Sequence, residues 1–341
     1  MALKIKDPAD WETFETELDF YLGVDNHDNI LKMSRSKESA VMTSSEGKKE
    51  VQYFALEYAP NGDLYDHMAI LGAFPEEIAR FYFKQILEAL TVIHESRFAH
   101  RDLRPENLLL SSDFTLKLAD FDLSCKRPVK KFSGCPSCLS PEVIERRDFD
   151  NDKVDLYSSV IILFIMVTGK RPFKKAGYGD YKFYQIMVDN WTGFWELQEV
   201  TASGDFMDFV EKTLCYDASK RLSMQEMKSH SWYNGNTAGL QEAAAWMLQA
   251  APNSPSSPSG SSHSSYKSED FDQQDQDSFM GGLQGSDSHD SDSKNFISKN
   301  NENRRTRDTN SAPSTPPTNI SISSSFFDGD REDDSIFGSK L

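Results

Sequence analysis

The sequence predicts an α+β fold in three parts: a β-rich N-terminal part, a larger mainly α-helical part, and a C-terminal tail without a core. Three observations carry that prediction. Residues 1–59 alternate apolar runs of strand length with one stretch at helical spacing. Residues 60–235 hold long amphipathic and fully apolar stretches, and residues 236–341 shift to Ser, Asp, Asn and Gln with Ser-Pro steps.

Taken in order, Ala2-Leu3-Lys4-Ile5 reads as a strand, residues 11–22 as a helix, and residues 30–33 and 51–58 as further strands. Asn61-Gly62-Asp63-Leu64 turns the chain. Residues 75–95 read as a long amphipathic helix, with Ile78, Phe81, Ile86, Leu90 and Ile93 on one side and Pro75 near its first turn. Those apolar positions are expected in the core. The run 160–167 is the centre of a buried helix, well short of the roughly 18 apolar residues that span a bilayer. After a short helical piece at 240–248, the composition cannot bury enough apolar surface to offset chain entropy, so the tail is expected to be disordered.

Composition narrows the function classes. A formal net charge of −17 argues against nucleic acid or an anionic membrane as partner, because both reward surplus Lys and Arg, and it suits basic peptides. The N-terminus lacks a signal-peptide pattern, so the expectation is an intracellular protein, cytoplasmic with the nucleus left open. Of the four cysteines, Cys135 and Cys138 form one C-x-x-C, but no second pair completes a zinc site, and ordinary thiols are expected.

The chemistry concentrates in two runs. His100 to Leu110 reads H-R-D-L-R-P-E-N-L-L-L, and Leu118-Ala119-Asp120-Phe121 follows it. Asp102 supplies a carboxylate able to take a proton from an attacking hydroxyl. Asn107 and Asp120 supply the hard oxygen ligands that Mg²⁺ prefers while it keeps phosphates as its other ligands. Taken singly, each is an ordinary polar turn residue; together they bring a base and metal ligands to phosphoryl-transfer spacing.

These runs resemble the catalytic loop and metal-binding strand end of eukaryotic protein kinases. The Pro105-Glu106 pair is closer to the serine/threonine type, and the calmodulin-dependent group is the nearest in character. The resemblance covers residues 1 to about 235. It implies a two-lobe fold, with an incomplete small lobe at 1–59, a large lobe at 60–235 and the tail at 236–341. It also implies ATP and Mg²⁺ as cofactors. Lys4, in Ala2-Leu3-Lys4, stands where a strand lysine holds the α- and β-phosphates, and Glu17 stands where the helix glutamate pairs with it; Glu15 competes for that place, since the spacing to His27 is one residue off. The hinge falls at Leu56-Glu57-Tyr58-Ala59, with Leu56 as gatekeeper and the backbones of Glu57 and Ala59 facing the adenine. Leu109 joins the cofactor-binding residues. Asp63 and Glu106 hold positions that meet the ribose or substrate arginines in basophilic relatives. The resemblance further assigns Asp102 as base, Arg104 to the transferring phosphate, and Asn107 and Asp120 as metal ligands. Glu142 and Arg221, in Ser140-Pro141-Glu142 and Lys220-Arg221-Leu222, are expected to form a buried ion pair.

The sequence also departs from the family. No G-x-G-x-x-G run precedes Lys4, and a strand at the initiator would expose an unpaired edge, so a mis-placed start is expected. Asp120-Phe121-Asp122 replaces D-F-G, a costly change where left-handed backbone is needed. Arg104 replaces the usual Lys, and Cys135 replaces a Thr that bonds the catalytic Asp and Lys. Lys131 occupies the usual phosphorylation position of the activation loop, leaving Ser133 as the nearest substitute. Two functions follow as expectations: a serine/threonine kinase acting on protein substrates with basic residues near the target, or a pseudokinase scaffold. Ser254, Ser257 and Thr315 precede proline, and the tail is expected to bind other proteins or to be modified by proline-directed kinases.

Overall fold

The computed structural model describes residues 1–44, 47–127, 138–177 and 179–250, all within the unit Met1–Ser259. The small lobe opens with β1 (Ala2–Lys6), a short 3₁₀ turn, and α1 (Trp11–Gly23). β2 (Met33–Ser44) and β3 (Gly47–Leu56) complete an antiparallel sheet in the order β1-β3-β2. The buried positions of α1, Phe14, Glu17 and Phe20, fall three apart on one side of the helix, with Phe14 packed on the sheet and Phe20 on Phe98 and Phe121. Phe14 stacks on Phe54 of β3 with ring centroids 4.5 Å apart.

The strand expected at 30–33 is replaced by something longer. Ile30 makes only an isolated parallel bridge to Leu118, and the strand begins at Met33 and runs eleven residues further to Ser44, paired with β3 as far as Ser44↔Gly47. Ser34-Arg35-Ser36-Lys37-Glu38-Ser39 shows no apolar alternation because much of this hairpin faces water on both sides. Its strand character comes from main-chain pairing, interrupted by bulges between Met33 and Arg35 and between Lys37 and Ala40.

The large lobe follows: α2 (Leu64–Leu71), α3 (Glu76–Glu95) and β4 (Phe98–Ala99), then β5 (Leu108–Leu110) and β6 (Leu116–Leu118), which pair with each other, and β7 (Cys125–Lys126), which pairs with β4. Helices α4 (Pro141–Ile144), α5 (Asn151–Thr168), α6 (Tyr181–Met187), α7 (Trp191–Gln198), α8 (Gly204–Leu214), α9 (Met224–Ser229) and α10 (Leu240–Met247) complete it. α3 starts one residue after Pro75 and buries Ile78, Ile86, Leu90 and Ile93 as expected. α5 is buried from Val154 to Val167, with Asp150 capping its start through Asp152 N–H. Gly169 ends it at φ 66°, where an added β-carbon would lie 3.1 Å from Ala73 N, so both conformation and space require glycine.

Residues 236–250 were expected in the coreless tail, yet they belong to this core. Ala243 and Met247 of α10 are fully buried, Ala238 and Ala250 nearly so, and Trp246 packs edge-on against Phe74. The rest of the tail, with Ser254, Ser257 and Thr315, lies outside the described residues. Among the described residues no helix is long and apolar enough to cross a membrane.

Candidate active site

Strand alternation explains the first half of the site. Leu3 and Ile5 of β1 face outward, 55% and 48% exposed, so Lys4 and Lys6 share the inward face. Lys4 Nζ lies 3.0 Å from Glu17 Oε1, 2.8 Å from Asp120 Oδ1 and 2.7 Å from Asp122 Oδ1. This pairing answers the choice between Glu15 and Glu17, since Glu15 is exposed on the far side of α1 and Glu17 is fully buried. Lys6 Nζ, which no motif in the sequence marks, lies 2.7 Å from Asp122 Oδ1 and 3.1 Å from Glu17 Oε2. The strand period was the available signal: if Lys4 points in, so does Lys6.

Burial works against the charge on Lys4, but Glu17, Asp120 and Asp122 outweigh it and hold its ammonium above the ordinary lysine range. Burial pushes Glu17 up to about 7 against the pull of Lys4. Asp122 is also raised by burial, but its bonds to Glu17 and to the two lysines hold it well below the usual carboxylate range.

The second half is built from the large lobe. Asp155, fully buried on α5, accepts the backbone N–H of His100 and of Arg101 at 2.9 Å each, and His94 Nε2 lies 3.0 Å from its carboxylate. These bonds fix the turn where Arg101 adopts φ 68°, a left-handed conformation that needs external support in a non-glycine residue. His100 then accepts from Asp102 N–H at Nδ1 (3.2 Å), while Nε2 meets Ala119 O (3.1 Å). Asn107 Nδ2 donates to Asp102 O (2.9 Å) and Asp102 Oδ2 (3.2 Å), and the Asn107 backbone carbonyl accepts from Ala119 N–H (2.9 Å). Asp102, Asn107 and the Ala119-Asp120 step are therefore one hydrogen-bonded unit. Phe121 packs under α1, stacked on Phe20 at 3.6 Å and edge-on to His100.

Asp122 does not carry the backbone cost expected of it. The left-handed residue in this segment is Asp120 (φ 64°), and Asp122 has no positive φ. A β-carbon at 122 is therefore unstrained.

The remaining predicted residues fall as follows. Leu56 and Leu109 pack in one apolar cluster with Leu31, Phe54 and Ala119, a surface suited to a flat ring. Glu57 N–H is bonded to Lys32 O at 2.8 Å and its carboxylate to Lys117 at 3.0 Å, while Ala59 is half-buried beside it. Asp63 caps α2 by accepting from Asp66 N–H at 2.9 Å. Arg104 is turned onto Glu106, with Nε to Oε2 at 2.9 Å and a second bond from its other arm to Oε1. Cys135, Lys131 and Ser133 lie outside the described residues, and Cys138 is a buried thiol whose carbonyl accepts from Ser158 Oγ. Arg221 meets Glu142 in a two-pronged pair at 2.7 and 2.8 Å, as expected.

For a divalent cation the donor set fits. Asn107 spends its amide nitrogen on Asp102, which leaves its amide oxygen, and Asp120 binds Lys4 through one oxygen while its side chain stays 35% exposed. Both are hard oxygen donors on adjoining backbone. Glu17, Asp120 and Asp122 also lie within 4.8 Å of one another, but the ammonium groups of Lys4 and Lys6 already stand among them.

Comparison with known proteins gives one family. The family described as protein kinase domain matches residues 2–233. A probable serine/threonine-protein kinase of Dictyostelium discoideum is 31% identical over 245 residues, covering 71% of this chain and 28% of that protein. Probable serine/threonine-protein kinase MARK-A of the same organism is 34% identical over 211 residues, 61% of this chain and 18% of the relative. CBL-interacting protein kinase 26 of Oryza sativa subsp. japonica is 33% identical over 223 residues, 61% of this chain and 40% of the relative. The chain thus spans less than half the length of each of these relatives. On the match over residues 2–233 and the assembled Lys4–Glu17 and Asp102–Asn107 units, the chain belongs to the protein kinase domain family.

Proposed function

We propose that the chain is an ATP-dependent serine/threonine protein kinase. One observation carries this reading: a continuous path of polar contacts and adjoining backbone runs from Lys4 through Asp120 and Ala119 to Asn107 and Asp102. A cation for phosphates, oxygen donors for a metal and a proton acceptor are thereby held in fixed relation. Fixed relation is what phosphoryl transfer asks of a protein, because positioning and charge stabilisation supply most of the catalysis.

In this reading Lys4, oriented by Glu17, binds the α- and β-phosphates. Leu56 and Leu109 take the adenine between apolar surfaces, with the backbones of Glu57 and Ala59 along its edge. Magnesium bound with ATP would be held by Asp120 and Asn107 and would neutralise charge between the phosphate oxygens. Asp102 Oδ orients the substrate Ser or Thr hydroxyl and takes its proton, and Arg104 swings from Glu106 to the transferring phosphate. The net charge of −17 favours substrates with basic residues near the target.

A second reading, a kinase-fold scaffold without phosphotransfer, is favoured by one observation: the Asp122 carboxylate sits on Lys4, where phosphate oxygens would bind. Mg²⁺-dependent transfer of labelled γ-phosphate from ATP to a basic Ser/Thr peptide pool separates the two. The kinase reading expects transfer that falls about 10²–10⁴-fold in Asp102→Asn with the fold unchanged. A folded chain that binds Mg·ADP without transferring phosphate would leave the scaffold.

A further inference from the structure

Lys6, which has no role in the expected site, and Asp122, which stands in place of a glycine, are far apart in sequence and meet in space. Lys6 Nζ and Lys4 Nζ each lie 2.7 Å from the same oxygen, Asp122 Oδ1. The Lys6 side chain is only 6% exposed, lies over the Phe54 ring at 5.7 Å and also reaches Thr13 Oγ1. A buried ammonium is costly unless paired, and its partners here are Asp122 and Glu17. Because Asp122 has no positive φ, its carboxylate is an addition that the backbone neither requires nor resists.

Each of the two residues would harm Lys4 without the other. With Asp122 but no Lys6, three carboxyl groups would crowd one ammonium where phosphates must approach. With Lys6 but no Asp122, the second ammonium would turn to Glu17, already 3.1 Å away, and draw it from Lys4. We propose that Lys6 and Asp122 are a compensating pair of positioning residues: Lys6 takes up the charge of Asp122, leaving Lys4 oriented by Glu17 and open to nucleotide phosphates. This rests on the reading of Lys4 as the nucleotide-binding lysine. It also answers the observation favouring the scaffold, since Asp122 is shared with Lys6.

The test is a double-mutant cycle on the full chain with Lys6→Met, Asp122→Gly and the double variant, reading Mg·ATP and Mg·ADP affinity by calorimetry, ATP KM against kcat, and the thermal midpoint. Each single change is expected to weaken Mg·ATP at least about tenfold, mainly through KM, and the double variant to return within about threefold of the parent. Lys6→Arg, which keeps the charge, should bind more tightly than Lys6→Met. Single variants that bind as the parent does, or losses that simply multiply in the double variant, would overturn the pair. A purely structural role would lower the thermal midpoint and leave affinity unmoved, which also overturns it. Should Lys6→Met fail to fold, Asp122→Asn combined with Lys6→Arg carries the same comparison. A parent that binds nucleotide without transferring phosphate sinks the kinase reading while the affinity cycle still decides the pair. A parent that binds no nucleotide sinks both.

Discussion

Two groups of buried charge stand about the same hydrogen-bond distance from their partners and yet differ in kind. In the large lobe, Glu142 and Arg221 form a closed pair, 1% and 2% exposed, with the remaining guanidinium bonds going to the carbonyls of Cys215 and Tyr216 and the Tyr157 ring 4.6 Å away. Under β1, three carboxyl groups share two ammonium groups, with Asp120 and Asp122 about a third exposed. The closed pair balances its own charge and spends its bonds on holding α4 to the loop before α9. The open cluster is reachable and holds more carboxyl than ammonium groups, which fits the metal-carrying nucleotide of the proposed function.

The largest expected effect breaks the closed pair. Arg221→Leu should cost about 3–5 kcal/mol by urea denaturation, because Glu142 would be left charged and buried, and Glu142→Leu added to it should recover most of that loss. A single-variant loss under about 1 kcal/mol would erase the distinction between the two groups. The pair also carries a pH signature. Burial raises the Glu142 carboxyl, but Arg221 outweighs burial and holds it below the ordinary value of 4.5. Its stabilisation is therefore complete above about pH 4.5 and is lost as pH falls through the lower folded-state value. In Glu142→Leu/Arg221→Leu that part of the acid sensitivity should disappear from a pH series of unfolding midpoints.

Asp155 comes next. Asp155→Ala orphans the N–H groups of His100 and Arg101 in a buried place, at about 1–3 kcal/mol each. Phosphotransfer should fall with it, since the same turn aims Asp102. Lys4→Met should sharpen the contrast from the other side. Its stability cost should stay under about 2 kcal/mol, because Lys6 and solvent share the load, while Mg·ATP affinity falls at least about tenfold. A loss of stability as large as that of Arg221→Leu would make the open cluster structural.

What the sequence made legible follows the same division. The meeting of Asp102, Asn107 and the Ala119-Asp120 step in one hydrogen-bonded unit, and the Glu142–Arg221 pair, were readable because the resembled motifs keep particular side chains at fixed spacing. Lys6 was not, since a lysine two places from another on a strand looks solvated until its face is known. β2 and the first residues of β3 escaped because polar residues paired only through main chain leave no periodic trace, whereas the apolar run from Val51 was readable as a strand. Residues 236–250 were assigned by their Ser-rich neighbours, whereas Ala243, Trp246 and Met247 pack at helical spacing onto the core. At Asp122 the expectation looked for strain in φ and missed that the side chain had acquired partners.

The smallest effect concerns the partly exposed pair beside Asp102. Arg104 and Glu106 form a planar two-bond fork, 34% and 32% exposed, so solvent screening limits its worth to under about 1 kcal/mol. Burial raises Glu106, and the Arg104 bonds outweigh it and hold its carboxyl low. In Arg104→Lys a point charge replaces the fork, both bonds cannot be kept, and the hold of Glu106 on the cation weakens. Stability should change by less than about 1 kcal/mol, and kcat should rise about two- to tenfold, because less must be broken before the cation meets the phosphate. A fall in kcat at unchanged stability would mean that the arginine fork itself serves the phosphate and that its contact with Glu106 is no competitor, and this small pair would then belong with the open cluster under β1.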